Sequence, residues 1–150
     1  VISGEVQAVE KACEIAKELG AARAVRLPVS APFHSSMLLP AGEKIAEALK
    51  AISFHELKIP VISNVTADYY PGKEAIKELL IQQVSRSVLW EDTVIRMIED
   101  VVDIFIEVGP GKTLSQFIRR IGRNLKAKIS IYNVEDRKSL ETIIKEVGKR

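Results

Sequence analysis

With 150 residues, 47% of them hydrophobic and 28% charged, the chain has the make-up of one ordinary soluble globular domain and not of a disordered segment. A formal net charge of +2 and few, scattered aromatics give no support to nucleic-acid binding. Cys13 alone makes no disulfide framework, the two histidines form no Cys/His cluster at metal-ligand spacing, and no apolar run approaches the roughly 20 residues that span a bilayer, so a reducing, cytoplasmic setting without membrane contact is expected.

The chain opens on Val1-Ile2-Ser3-Gly4, an apolar pair and a turn with the look of a strand end, and reads as a piece of something longer. Val6, Val9, Cys13, Ala16 and Leu19 recur at helical spacing, so a helix is expected over 5–19, closed by Gly20 in a left-handed position. Ala24 to Val29 reads as a short strand, and the unit 1–29 is too small to bury both its faces alone. After the loop 30–34, Ser35 or Ser36 can cap a helix that tolerates Pro40 in its first turn and buries Ile45, Leu49 and Ile52. Ile59 to Val65 suggests a buried strand, and Tyr69-Tyr70-Pro71-Gly72 a turn before a helix carrying Ile76, Leu79, Leu80 and Val84.

A helix from about Trp90 to Asp100 leads to the apolar strand Ile104-Phe105-Ile106-Glu107-Val108, which Gly109-Pro110-Gly111 breaks. Leu114, Phe117, Ile118, Ile121 and Leu125 define another helix, Lys128 to Tyr132 a short strand, and Leu140, Ile143, Ile144 and Val147 a terminal helix. This alternation predicts an α/β fold with a mostly parallel sheet.

His34 stands in a proline-fixed loop between a strand end and a helix start, where α/β folds commonly carry chemistry. A lone loop histidine is more often structural or simply exposed. Asn64, at the end of an apolar segment, could line a cleft, but asparagine there is more often a turn former that bonds to its own backbone. Gly109 to Thr113 resembles the end of a phosphate-binding loop, but Ile106 occupies the place of that motif's first glycine, so a tight strand-to-helix turn is the better reading. Arg119, Arg120, Arg123, Lys126 and Lys128 form a basic stretch, by default a solvated face and alternatively a docking surface for an acidic protein. His55 and Cys13 carry no assigned chemistry; exposed and buried positions are expected for them.

The ordered segments Val29-Ser30-Ala31-Pro32-Phe33-His34-Ser35-Ser36-Met37, Pro60-Val61-Ile62-Ser63-Asn64-Val65, Gln83 upstream of Val88-Leu89-Trp90, and Glu107-Val108-Gly109-Pro110-Gly111-Lys112-Thr113-Leu114 resemble the bacterial malonyl-CoA:acyl carrier protein transacylases over nearly the whole chain. The resemblance implies an α/β fold made of the C-terminal part of an α/β-hydrolase-like acyltransferase domain, residues 30–150, with the second half of a small ferredoxin-like subdomain, residues 1–29. It also implies ping-pong transfer of malonyl from coenzyme A to the phosphopantetheine thiol of acyl carrier protein through a seryl-enzyme intermediate. His34 matches the base, Gln83 the residue whose main-chain carbonyl orients it, and Phe33 a position tied to extender-unit size. Phe33 and Asn64 are thus the substrate-side candidates. No cofactor is implied, since the coenzyme A thioester and phosphopantetheine are substrates. The expected partners are malonyl-CoA, acyl carrier protein and the N-terminal half of the same enzyme, with no nucleic acid and no membrane.

The family's G-H-S-x-G elbow does not occur in these residues. The resemblance places that serine, an oxyanion-hole glutamine and a malonyl-pairing arginine N-terminal to this segment. The chain is therefore expected to supply a base without its nucleophile and to be inactive alone. A non-catalytic module that binds acyl carrier protein or coenzyme A is the alternative.

Overall fold

In the computed structural model, which describes residues 1–148, α1 runs Val6–Glu18 and ends where Gly20 takes φ +88°, a left-handed conformation that a side chain would disfavour. The chain divides into two compact units, Val1–Leu89 and Trp90–Arg150.

In the first unit, a 3-10 turn at Ser36–Leu38 leads into α2, Leu39–Lys50, with Pro40 in the first turn, where its missing N–H costs no helical bond. Ser35 forms no side-chain cap; its Oγ donates instead to the Pro32 carbonyl at 2.7 Å, closing the loop before the helix. A second 3-10 turn, Lys73–Ala75, opens α3, Ile76–Gln83. Helices α2 and α3 pack at Gly42, where an added Cβ would sit 3.5 Å from the Ile81 carbonyl oxygen. This packing sets the segment after His34 beside the C-terminal end of α3.

The first unit departs from the expected strands. Residues 24–29 have no strand-pairing partner among the described residues, and Val25, Leu27 and Val29 stand exposed. An extended segment becomes a strand only when a neighbour takes its N–H and C=O groups. The segment 59–65 contracts to one antiparallel bridge, Ile62 with Tyr69, because the chain reverses immediately after it and Pro60 has no N–H to offer. On α2, Leu49 is buried, but Ile45 and the flanking Ile52 are exposed.

The second unit follows the predicted order. Helix α4, Trp90–Glu99, leads to β1, Ile104–Val108; α5, Thr113–Asn124, crosses to β2, Ser130–Val134; and α6, Arg137–Val147, closes the series. The strands pair in parallel from Ile104 opposite Ser130 to Val108 opposite Val134, the β-α-β arrangement that strand-helix alternation predicts. Val94, Phe105, Ile118 and Ile121 form the core, with Trp90, Ile98, Ile129 and Ile131 packed on it. Asp136 and Ser139 form a reciprocal capping box at the start of α6. No helix among the described residues is long and apolar enough to cross a membrane.

Candidate active site

His34 takes φ +58°, a left-handed conformation uncommon in residues bearing a Cβ. That turn of the backbone points its ring at the end of α3. There Nδ1 lies 3.0 Å from the Gln83 carbonyl oxygen and 3.1 Å from the Arg86 carbonyl oxygen. Gln83 is the last residue of α3, so its carbonyl is one of those that the helix itself leaves without a partner.

The two carbonyls decide the tautomer. A carbonyl oxygen only accepts, so Nδ1 carries a proton and shares it between them, and in the neutral ring Nε2 is then the acceptor. The ring itself is exposed. A neutral imidazole held in this form can take a proton at Nε2 from a hydroxyl or thiol brought to it.

Gln83, half-buried, also meets Asn64: the Asn64 Nδ2 amide donates to Gln83 Oε1 at 3.2 Å, and the Leu89 N–H donates to the Asn64 carbonyl at 2.9 Å. His34, Gln83 and Asn64, three of the candidates drawn from the sequence, therefore form one cluster. Phe33 lies beside His34 with 53% of its surface exposed. The Arg86 carbonyl was not anticipated. A main-chain acceptor carries no side-chain signature, and only its position just beyond a helix end offered a signal.

In the second unit, the Glu107 carboxylate sits over the N-terminus of α5. It accepts from the N–H groups of Leu114 at 3.0 Å and Ser115 at 2.8 Å and from Ser115 Oγ. The Ser115 hydroxyl, then the two N–H groups, hold the Glu107 carboxyl below the usual carboxylate range. A phosphate would have to displace this carboxylate to reach those N–H groups. The 109–113 loop is further held by Asn133, whose Nδ2 donates to the Gly111 carbonyl at 2.7 Å, and by the Gly111 N–H, which donates to Glu135 at 3.2 Å. It is a braced strand-to-helix turn. Arg119, Arg120, Arg123, Lys126 and Lys128 are exposed, His55 is exposed and Cys13 is half-buried. Among the described residues, no group of three or more His, Cys, Asp or Glu could hold a metal ion.

No family model matches the chain. It is 48% identical over 126 residues to the malonyl CoA-acyl carrier protein transacylase of Bacillus subtilis (strain 168), a match covering 84% of this chain and 40% of that protein. It superposes on the malonyl CoA-acyl carrier protein transacylase from Clostridium perfringens with a TM-score of 0.87 at 47% identity, covering 97% of this chain and 45% of that one. A malonyl-transacylase solved in complex with a type II PKS acyl-carrier protein matches with a TM-score of 0.88 at 36% identity, again over 45% of its length. The chain thus spans less than half the length of these relatives.

Proposed function

From its place among the malonyl CoA-acyl carrier protein transacylases, as their C-terminal half, we propose that this chain supplies the general base for transfer of a malonyl group from coenzyme A to the phosphopantetheine thiol of acyl carrier protein. The observation that carries this reading is the His34 ring, whose Nδ1–H points at the Gln83 and Arg86 carbonyls and whose Nε2 is left to accept.

In the first half-reaction, a serine hydroxyl on the N-terminal part of the enzyme attacks the malonyl thioester carbonyl while Nε2 of His34 takes its proton. The tetrahedral intermediate collapses, the carbon–sulfur bond breaks, and the imidazolium returns the proton to the departing coenzyme A thiolate. In the second, Nε2 accepts the proton of the carrier-protein thiol as its sulfur attacks the malonyl-serine ester, and the serine oxygen leaves with that proton. Because Nδ1 keeps its hydrogen bonds throughout, one ring orientation serves both halves.

The Phe33 side chain is assigned to the substrate side, where its bulk disfavours acyl groups branched next to the thioester; one extra methyl in such a pocket is worth about 1–3 kcal/mol. Residues 1–29 are read as half of a small ferredoxin-like subdomain and 30–150 as the C-terminal part of the large acyltransferase domain. The enzyme works in the cytoplasm without a cofactor, and this chain alone, lacking the serine, is inactive.

The test is malonyl transfer with the serine-bearing half supplied in trans. Activity is expected on mixing and is expected to fall about 10²–10⁴-fold with His34→Ala. Activity indifferent to His34, or none despite demonstrated association of the halves, would overturn the assignment.

A further inference from the structure

Asn64 sits in a turn that several hydrogen bonds close. Ser63, 1% exposed, donates its N–H to the Asp68 carbonyl at 2.9 Å and accepts the Ala67 N–H on its own carbonyl at 2.9 Å. Its Oγ accepts the Val65 N–H at 3.2 Å, and the Tyr70 N–H donates to the Val61 carbonyl at 2.9 Å across the bridge. The turn 63–68 is thereby pinned from several sides, and Asn64 projects from its start.

From this base Asn64 grips the segment 83–89 at both ends. Its amide nitrogen donates to Gln83 Oε1 at 3.2 Å, and its carbonyl accepts from the Leu89 N–H at 2.9 Å. Between those grips lie the Gln83 and Arg86 carbonyls that receive the His34 proton. The His34 ring is exposed, so water competes for its Nδ1–H unless both carbonyls stay in place.

We infer that Asn64 is a positioning residue: through its side-chain amide on Gln83 it fixes the carbonyls that select the Nδ1–H tautomer of His34. The role is carried by the Asn64 amide nitrogen, which is engaged by Gln83 Oε1. It rests on the proposed base function only for its effect on turnover; the tautomer is a property of the chain itself.

The experiment is a long-range proton–nitrogen correlation spectrum of the His34 ring in the chain assembled with its serine-bearing half, compared with Asn64→Ala, Gln83→Ala and the double variant. Gln83→Ala keeps the main-chain carbonyl and removes only the grip. The expected result is an Nδ1–H ring in the parent protein and a shift toward Nε2–H, the form favoured by a free histidine side chain in water, in both single variants. The double variant should shift no further than either one, since both changes break the same link. In the transfer assay the same variants should lose about tenfold in kcat, the scale of one hydrogen bond, with KM within about twofold. An unchanged tautomer in a folded Asn64→Ala protein would overturn the inference, as would additive shifts or a loss confined to KM. Should Asn64→Ala fail to fold, Gln83→Ala alone decides. The spectrum reads the inference even if no transfer activity is found, so its failure and that of the proposed function are separable.

Discussion

The Glu107 carboxylate accepts from Ser115 Oγ and from the N–H groups of Ser115 and Leu114, and each contact favours the ionised form. Its folded pKa lies below the ordinary 4.5, so the stabilisation it confers is complete above that value and is lost as pH falls through the folded pKa. Glu107→Gln should therefore lower stability at pH 7 and flatten the acid limb of the stability curve below about pH 4.5. Urea denaturation across pH 3–7 measures both effects. Parallel curves for the two proteins would show that the carboxylate contributes nothing through its charge. This contact also marks what a sequence conceals at the residue scale. The run Gly109-Pro110-Gly111-Lys112-Thr113 is visible, but a carboxylate reaching forward to cap a helix start at Leu114 and Ser115 leaves no periodicity to read. The Gln83 carbonyl entered through resemblance and that of Arg86 only through geometry, for the same reason: main-chain acceptors are invisible in side-chain chemistry.

At the scale of elements, α5 displays what periodicity resolves well. Ile118 is 4% exposed and packs on Phe105 and Val94, whereas the adjacent Phe117 is 50% exposed. Ile118→Ala should cost about 2–5 kcal/mol in urea unfolding of this chain, the range for removing a buried isoleucine and leaving a cavity. Phe117→Ala should change stability by less than about 0.5 kcal/mol. Equal losses at both positions would mean that the two faces of the helix are not distinguished by burial. Helices were legible because their hydrogen bonds are local and their apolar spacing records one buried face. Strands were legible only where a partner lies in the same chain. The segment 104–108 found 130–134 and formed with the predicted bounds, while the second strand begins at Ser130 and not at Lys128. The segment 24–29 has strand-like composition, but its bonds would have to come from residues that the described part of the chain does not offer.

For the molecule as a whole, the pattern of exposure agrees with a chain that covers 45% of a solved relative at a TM-score of 0.87. Val25, Leu27 and Val29 stand exposed in the first unit, and Val108, Ile106 and Ile144 in the second. Parallel sheets are ordinarily covered on both faces, and a lone strand pair is marginal in water. If the serine-bearing half supplies the cover, it stabilises the folded chain by mass action. That amounts to about 2.7 kcal/mol at a hundredfold excess over Kd, or roughly 5–10 °C in Tm for a chain of this size. A melting curve of this chain titrated with that half should therefore rise with partner concentration, and His34→Ala should leave the rise intact, because association needs the apolar surfaces and not the base. A Tm indifferent to the partner at concentrations where transfer activity appears would separate catalysis from stable assembly. The two halves would then meet only transiently, and the exposed valines and isoleucines would have to be covered by other means, of which self-association, visible as a concentration-dependent mass of this chain alone, is the first to measure.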